Sequence, residues 1–187
     1  VRLTDGKFTV TGFSWSPDGK QIAFNRQPDP LINSSSYSDI AIVPIEDKTI
    51  KTIVSNTGGD FLQNWHPEGK SILYSSSVND TVSNYYKNNR TFIYALASGT
   101  TREILTTVDE MKNIYDWNSS GIVYGRNKKM KNAVYLFNPT NGTTTEIETG
   151  MDVPGFISMS KDGSALAVSG RNFDQLNEIW TGKTGTK

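Results

Sequence analysis

Residues 13–24 read FSWSPDGKQIAF, an apolar run followed by a turn and a second apolar run. In the turn, Pro17 presets the φ angle of the second position, and Asp18 tolerates the backbone conformation of the third. Gly19 leaves the turn in a conformation that costs glycine no steric strain. The stretch therefore predicts a β-hairpin that has Trp15 at the end of its first strand.

Weaker copies of this hairpin recur three times: WHPEGKSILY at residues 65–74, WNSSGIVY at 117–124 and MSKDGSALAV at 159–168. Two sets of residues share a register in the four copies: Trp15, Trp65, Trp117 and Met159, and four residues later Gly19, Gly69, Gly121 and Gly163. The recurrence of a large residue at one strand position indicates core packing rather than an aromatic binding platform. The first set is therefore expected to fill the gaps between neighbouring sheets.

A second hairpin follows each of the four copies, so each unit has four strands. The first set of register residues lies 50, 52 and 42 positions apart, and a period of about 40 to 50 residues is typical of propeller blades. A β-sandwich gives no reason for a fixed unit to recur. We predict an all-β fold, a β-propeller with blades of four antiparallel strands and about four blades present, in units at residues 8–54, 60–106, 112–148 and 153–187.

The two chain ends suggest that this is part of a larger propeller. Residues 1–7 resemble the closing strand of a preceding blade or of the last blade, and the final unit stops at a turn before its own closing strand. Either the first strand completes the last blade, or the chain belongs to a longer one. The second explanation is favoured, because imperfect repeats of this type usually belong to larger rings.

Composition argues against several classes of function. Nineteen basic and nineteen acidic residues cancel, so neither a nucleic-acid partner nor a membrane surface is expected, and the basic residues 126–131 are interpreted as a solvated loop. No stretch approaches the roughly 20 apolar residues of a membrane helix, so membrane insertion is not expected. Without cysteine there is no disulfide framework, thiolate zinc site or cysteine nucleophile. The compartment stays open, with an extracytoplasmic location slightly favoured.

The repeats resemble a known family. Residues 13–24 together with residues 38–54, SDIAIVPIEDKTIKTIV, resemble the WD-like repeats shared by TolB-type propellers and by the propeller domain of the prolyl oligopeptidase family of serine peptidases. Residues 169–185, SGRNFDQLNEIWTGKTG, are similar to the final blade of bacterial members of that family. The repeat resemblance spans nearly the whole chain, whereas the family assignment rests on about fifteen residues.

That resemblance implies that the chemistry belongs to an α/β-hydrolase domain, whose nucleophile lies in a Gly-X-Ser-X-Gly elbow. This chain has no such pentapeptide, and its one histidine, His66, occupies the turn position of Ser16 in the first copy. Gly58-Gly59 precedes a strand instead of opening a helix, so it is interpreted as a turn and not as a phosphate-binding loop. We expect no catalytic residue, cofactor or metal here, and a parent protein that is a serine peptidase.

Two stretches, residues 25–37 and 75–89, are longer than a hairpin requires. Propeller function lies on loops, and apolar and aromatic groups there suit an interface. The candidate contacts for a peptide substrate, the hydrolase domain of the parent chain or a protein partner are Pro28, Leu31, Ile32, Tyr37, Tyr85 and Tyr86. A mobile loop without a partner is the competing interpretation.

The resemblance implies that the propeller gates or docks peptide substrates for the absent hydrolase domain. The alternative is a TolB-like module that binds proteins and has no enzymatic activity. A lectin-type propeller is less favoured, since the copies share no repeated polar site.

Overall fold

The computed structural model describes residues 1–81 and 87–184, which divide into two compact units, Val1–Thr107 and Val108–Lys187. Unit 1 contains two four-stranded antiparallel sheets in which strands adjacent in sequence are also adjacent in space. The first sheet consists of β1 (Thr9–Trp15), β2 (Gln21–Gln27), β3 (Asp39–Pro44) and β4 (Lys51–Val54), with a 3-10 helix (Ile32–Tyr37) between β2 and β3. The second consists of β5 (Asp60–Trp65), β6 (Ser71–Ser76), β7 (Arg90–Ala95) and β8 (Thr100–Ile104).

Unit 2 contains one sheet of four strands and one of three, with the same antiparallel order. The third sheet consists of β9 (Asn113–Asn118), β10 (Gly121–Lys128), β11 (Lys131–Phe137) and β12 (Thr144–Ile147). The fourth consists of β13 (Val153–Met159), β14 (Ala165–Arg171) and β15 (Glu178–Lys183). Three of these sheets have the four strands predicted for each repeat and the fourth has three. The predicted β-propeller fold is confirmed.

Residues 1–8 form no strand, so the closing strand predicted at residues 1–7 is not formed in this structure. Within the residues that the structure describes, the longest helical element is a single 3-10 helix of six residues. No described helix is long and apolar enough to cross a membrane.

Side-chain hydrogen bonds hold the first repeated turn. The Ser16 hydroxyl donates to Oδ1 of Asp18 over 2.6 Å, and the backbone N–H of Lys20 donates to the same oxygen over 3.0 Å. Ser16 Oγ also accepts from the N–H of Gln21. Gly19 completes the turn with a φ of 70°, a left-handed conformation that glycine adopts without steric cost.

The fourth copy repeats this arrangement. Asp162 Oδ1 accepts from the Ser160 hydroxyl over 2.6 Å and from the Ser164 N–H over 3.0 Å. These bonds stabilise the ionised carboxylate, the Ser160 bond most of all, and lower the pKa of Asp162 to about 2. The turn chemistry predicted from Ser-Pro-Asp-Gly therefore survives where the proline is lost.

The third copy departs from the register. Its turn is short, and Gly121 lies at the start of β10, paired with Asn118. Gly121 has a φ of 141°, and a Cβ added there would collide with the carbonyl oxygen of Phe137 on β11. Gly121 therefore does not have the role of the turn glycines with which it was aligned. A glycine is needed there because β10 and β11 approach closely.

The register residues divide into buried and exposed members. Trp65 and Trp117 are each 6% exposed, as expected of core residues. The Trp65 indole N–H donates to the carbonyl of Ser14 over 3.1 Å, which ties the second sheet to the first. Trp15 is 52% exposed, so it does not fill a gap between two sheets in this structure.

This difference gives a stability test. We expect Trp65→Ala to lower the free energy of unfolding by about 3–5 kcal/mol, because it removes a buried indole and leaves a cavity. Trp15→Ala, the matched change in the first copy, should cost less than about 1 kcal/mol, since much of that side chain is in water. Urea unfolding followed by circular dichroism measures both. Equal losses would contradict the packing described.

His66 gives a pH test. Its Nδ1 accepts the backbone N–H of Glu68 over 3.0 Å, and partial burial lowers its pKa below the ordinary 6.5 although Glu68 acts in the opposite direction. The neutral form is therefore favoured in the folded protein. The stabilisation of the folded state by neutral His66 is complete above pH 6.5. It is lost as pH falls through the lowered pKa, because the histidine of the unfolded chain takes up a proton first.

We therefore expect the unfolding free energy of the wild type to fall more steeply over this range than that of His66→Ser. The variant restores the residue of the first copy. The histidine pKa itself can be read by NMR from the one imidazole in the chain. A pKa at or above 6.5 would contradict the burial described.

Candidate functional site

The two long loops meet in unit 1 at Gly58 and Gly59, both of which are buried. A Cβ added at Gly59 would lie 2.5 Å from the carbonyl oxygen of Ser35, in the first loop. A Cβ added at Gly58 would collide with Ser77 Oγ and lie 2.7 Å from the carbonyl oxygen of Asp80, in the second loop. The dipeptide interpreted as a simple turn is thus the junction on which both loops pack.

A buried polar network fixes this junction to the sheets. The Asp60 side chain is 0% exposed, and its two carboxylate oxygens accept the backbone N–H and the side-chain amide of Asn56, each over 2.8 Å. The backbone N–H of Asp60 donates to the carbonyl of Ser38, where the first loop returns to β3. A buried carboxylate without such donors would cost several kcal/mol. Asp60 therefore stabilises this backbone arrangement specifically.

Asn25, at the end of the apolar run in β2, joins the two sheets. Its amide nitrogen donates to the carbonyl of Asp60 over 2.8 Å, and its amide oxygen accepts the N–H of Leu62 over 3.1 Å. One side chain thereby satisfies a backbone donor and a backbone acceptor of β5, as the edge of another strand would. The sequence signal for this role is a polar residue directly after the apolar residues 22–24.

The first loop has its own internal bonds. Asp29 Oδ1 accepts the Ser34 hydroxyl over 2.6 Å and the Leu31 N–H over 2.8 Å, and these bonds lower the pKa of Asp29. Gln27, which is buried, donates its amide to the carbonyl of Asp29. The loop therefore has a defined conformation that ends in the 3-10 helix.

The apolar residues predicted as contacts in this loop all face solvent. Ile32 is 88% exposed, and the others are exposed as well. We call this group the Leu31 platform: Pro28, Leu31, Ile32 and Tyr37. The two other predicted contacts, Tyr85 and Tyr86, lie outside the residues that the structure describes.

A cleft of about 320 Å³ opens beside this network in unit 1. Tyr74 and Phe92, stacked with ring centroids 5.3 Å apart, line it together with Asn56. The guanidinium of Arg90 lies over the Phe92 ring and is paired with Glu103. The cleft can accept an apolar group, while its one arginine is already neutralised.

The basic residues 126–131 are mostly exposed, as expected, but they are part of two strands rather than a loop. They form the hairpin between β10 and β11, with Lys129 in the left-handed region at the turn. Ion pairs connect Arg126 to Glu110, Lys128 to Glu146 and Lys131 to Asp152. Local pairing therefore removes most of the positive charge that a polyanion would need.

The chain was compared with known protein families, sequences and structures. No family model matches the chain. The chain is 27% identical over 158 residues to dipeptidyl-peptidase 5 of Porphyromonas gingivalis, an alignment that covers 82% of this chain and 23% of the relative. This chain therefore spans less than a quarter of that peptidase.

Two solved structures share the fold. TolB from Acinetobacter baumannii superposes with a TM-score of 0.69 at 16% identity, covering 98% of this chain and 43% of that one. The β-propeller domain of the Trilobed protease from Pyrococcus furiosus, described as having an open velcro topology, superposes with a TM-score of 0.67 at 16% identity, covering 94% of this chain and 49% of that one. The chain has the propeller fold of TolB and of peptidases. The resemblance inferred from the repeats is thereby confirmed.

A substitution tests the loop junction. We expect Gly59→Ala to destabilise the protein by about 1–3 kcal/mol, because the new methyl group would displace the carbonyl of Ser35. It should also speed proteolytic cleavage within residues 28–37. Gly182→Ala is the matched control, since a Cβ at Gly182 meets nothing within 4 Å, and its effect should stay within about 0.5 kcal/mol. Equal behaviour of the two variants would contradict the junction.

Proposed function

We propose that the chain is a non-catalytic propeller segment of a serine peptidase of the prolyl oligopeptidase type, and that the Leu31 platform docks peptide substrates or the hydrolase domain. The observation that carries the proposal is an exposed apolar platform on a backbone held by buried polar bonds. The similarity to a dipeptidyl-peptidase over 82% of the chain supports the peptidase context.

The platform has the properties of a docking surface. Interface energy concentrates in a few apolar and aromatic anchors, and anchors that are already ordered lose little entropy on binding. Leu31 and Ile32 are held by the Asp29 bonds and by the contact of the 3-10 helix with Gly59. Exposing these groups in a fixed conformation has no role in stabilising the fold, which suits contact with another molecule.

Bond chemistry is assigned to a separate hydrolase domain. A serine triad requires a histidine within hydrogen-bond reach of the nucleophile and oriented by a third group. In this chain Nδ1 of His66 accepts a backbone N–H within its own turn, two residues away. His66 thus takes part in a turn hydrogen bond, as Ser16 does in the first copy with different partners, and its part in the proposal is structural.

The second candidate function is a protein-binding module like TolB, with no hydrolase attached. The TM-score of 0.69 means that the chain shares the TolB fold, which is compatible with this candidate function. A shared fold does not select between the two candidates, because one fold serves many functions. The same Leu31 platform would then contact a protein partner.

The experiment that separates the two candidates uses the natural protein in extracts of its source. Antibodies raised against this chain identify the polypeptide, and a fluorophosphonate probe labels any active-site serine on it. We expect a labelled polypeptide several times heavier than 20.7 kDa. An unlabelled polypeptide would overturn the peptidase proposal and favour the binding module.

The platform is tested in that natural protein by the double substitution Leu31→Ser and Ile32→Ser. Loss of two interface anchors of about 1 kcal/mol each should raise KM for peptide substrates roughly tenfold or more, with hydrolysis of a small ester unchanged. Met130→Ser, which alters an equally exposed apolar residue of unit 2, is the control. An unchanged KM for peptides would contradict docking at the platform.

A further inference from the structure

The turn between the third and fourth strands is built alike in three of the sheets. In each, a backbone N–H closes the turn on the carbonyl of the residue four positions earlier: Lys48 on Pro44, Gly99 on Ala95 and Gly142 on Asn138. The residue that donates this N–H has a φ of 58°, 68° and 76° in the three turns, which is the left-handed region. The turn is therefore a repeated element of the fold.

The residue before the left-handed position accepts a hydrogen bond from the backbone two residues later in all three turns. Asp47 Oδ1 accepts the N–H of Thr49 over 2.8 Å. Ser98 Oγ accepts the corresponding N–H in the second sheet over 3.4 Å. In the third sheet this residue is Asn141, whose Oδ1 accepts the N–H of Thr143 over 3.0 Å and the hydroxyl of the same residue over 2.8 Å. An aspartate, a serine and an asparagine thus occupy one position.

Asn141 differs from its two counterparts because it begins the one Asn-Gly dipeptide of the chain. In such a pair the backbone nitrogen of the glycine can attack the side-chain carbonyl carbon of the asparagine, since no Cβ hinders the approach. Asn141 and Gly142 are both exposed, and a Cβ added at Gly142 would meet nothing within 4 Å. The bonds to Thr143 turn the Asn141 side chain toward the backbone that follows it, where the attacking nitrogen lies.

We propose that Asn141 is a site of spontaneous deamidation in the folded protein. The Gly142 nitrogen loses its proton to base and forms a bond to Cγ of Asn141. The bond from Cγ to the side-chain nitrogen breaks, ammonia leaves with a proton from water, and a cyclic imide remains. Water then adds to either carbonyl of the imide and opens it. One product is aspartate, and the other is isoaspartate, which has an additional carbon in the main chain.

The turn itself limits the rate of this reaction. The Gly142 N–H donates to the carbonyl of Asn138 over 2.9 Å, so the turn must open before this nitrogen can attack. The Asn138 side chain holds the turn closed, because its Oδ1 accepts the N–H of Thr140 over 2.9 Å and that of Asn141 over 3.3 Å. Exposed turns open locally at a lower free-energy cost than global unfolding. Deamidation is therefore slower in the folded protein than in the unfolded chain, but it still proceeds.

The two products differ in how they fit the fold. Aspartate is the residue that the first sheet already has at this position, Asp47. Isoaspartate lengthens the main chain between β11 and β12, which pair from Phe137–Thr144 to Val134–Ile147. A shift in register would turn the side chains of the four-residue β12 to the wrong face. We therefore expect the isoaspartyl form to lose the pairing of β12 and the aspartyl form to retain it.

Peptide mapping by mass spectrometry in mildly alkaline buffer tests the proposal. In the folded wild type, Asn141 should become aspartate and isoaspartate, whereas Asn118, which is 6% exposed and precedes a serine, should stay unchanged. In guanidinium chloride the conversion of Asn141 should be roughly tenfold faster or more, because the Gly142 nitrogen is no longer bonded. Wild-type Asn141 that stays unchanged in the folded protein while it converts in denaturant would overturn the proposal. Equal rates in the two conditions would contradict control by the turn.

Two variants separate the attack from the opening of the turn. Gly142→Lys copies the first sheet, where Lys48 is left-handed, and should slow conversion roughly tenfold or more because its side chain hinders the attack. This variant is compared with the wild type in denaturant as well, so its effect is measured even if it folds poorly.

Asn138→Ala is the second variant. It should speed conversion in the folded protein roughly threefold or more, because the turn opens more often, and leave the rate in denaturant unchanged. Circular dichroism confirms that each variant is folded. A Gly142→Lys variant that converts as fast as the wild type in denaturant would overturn attack by this nitrogen. An Asn138→Ala variant with the wild-type rate when folded would contradict control by the turn.

Discussion

The structure depends on one repeated contact, in which a bulky apolar side chain at the end of a sheet's first strand packs on an inner strand of the preceding sheet of its unit. Trp65 does this on Ala23, and Met159 belongs to the corresponding core with Val123. Each four-stranded antiparallel sheet is small, and it gains most of its stabilisation by covering a neighbouring face. A bulky residue at the position of Trp65 and Met159 is therefore a packing requirement. The turn glycines Gly69 and Gly163 follow it and return the chain into the next strand.

The buried polar groups of unit 1 have a different role from this apolar contact. Apolar packing alone would allow neighbouring sheets to shift, whereas Asn25 must meet two particular backbone groups of β5, and Asp60 must meet Asn56. Hydrogen bonds that are costly to break when buried therefore fix the register of the sheets. The backbone N–H of Asp60 also donates to the carbonyl of Ser38, at the end of the loop that carries the Leu31 platform, so this network joins the candidate site to the aligned sheets.

The sequence predicted what is local and repeated, and it failed where burial depends on distant residues. Trp15 and Trp65 have similar neighbours in the chain, yet their exposure differs widely because only Trp65 faces another sheet of its unit. Gly121 matched the turn glycines by position although its glycine is required by Phe137 on the neighbouring strand. The exposed loop residues were predicted from loop length and composition, but the junction at Gly58 and Gly59 depends on contacts across the sheets that no local pattern reveals.

The loop that carries the candidate site is separate from the packing between sheets. The Leu31 platform lies between β2 and β3, whereas the residues that join the two sheets of unit 1 lie on strands. Docking at the platform, as proposed, therefore requires no change in the packing of these sheets.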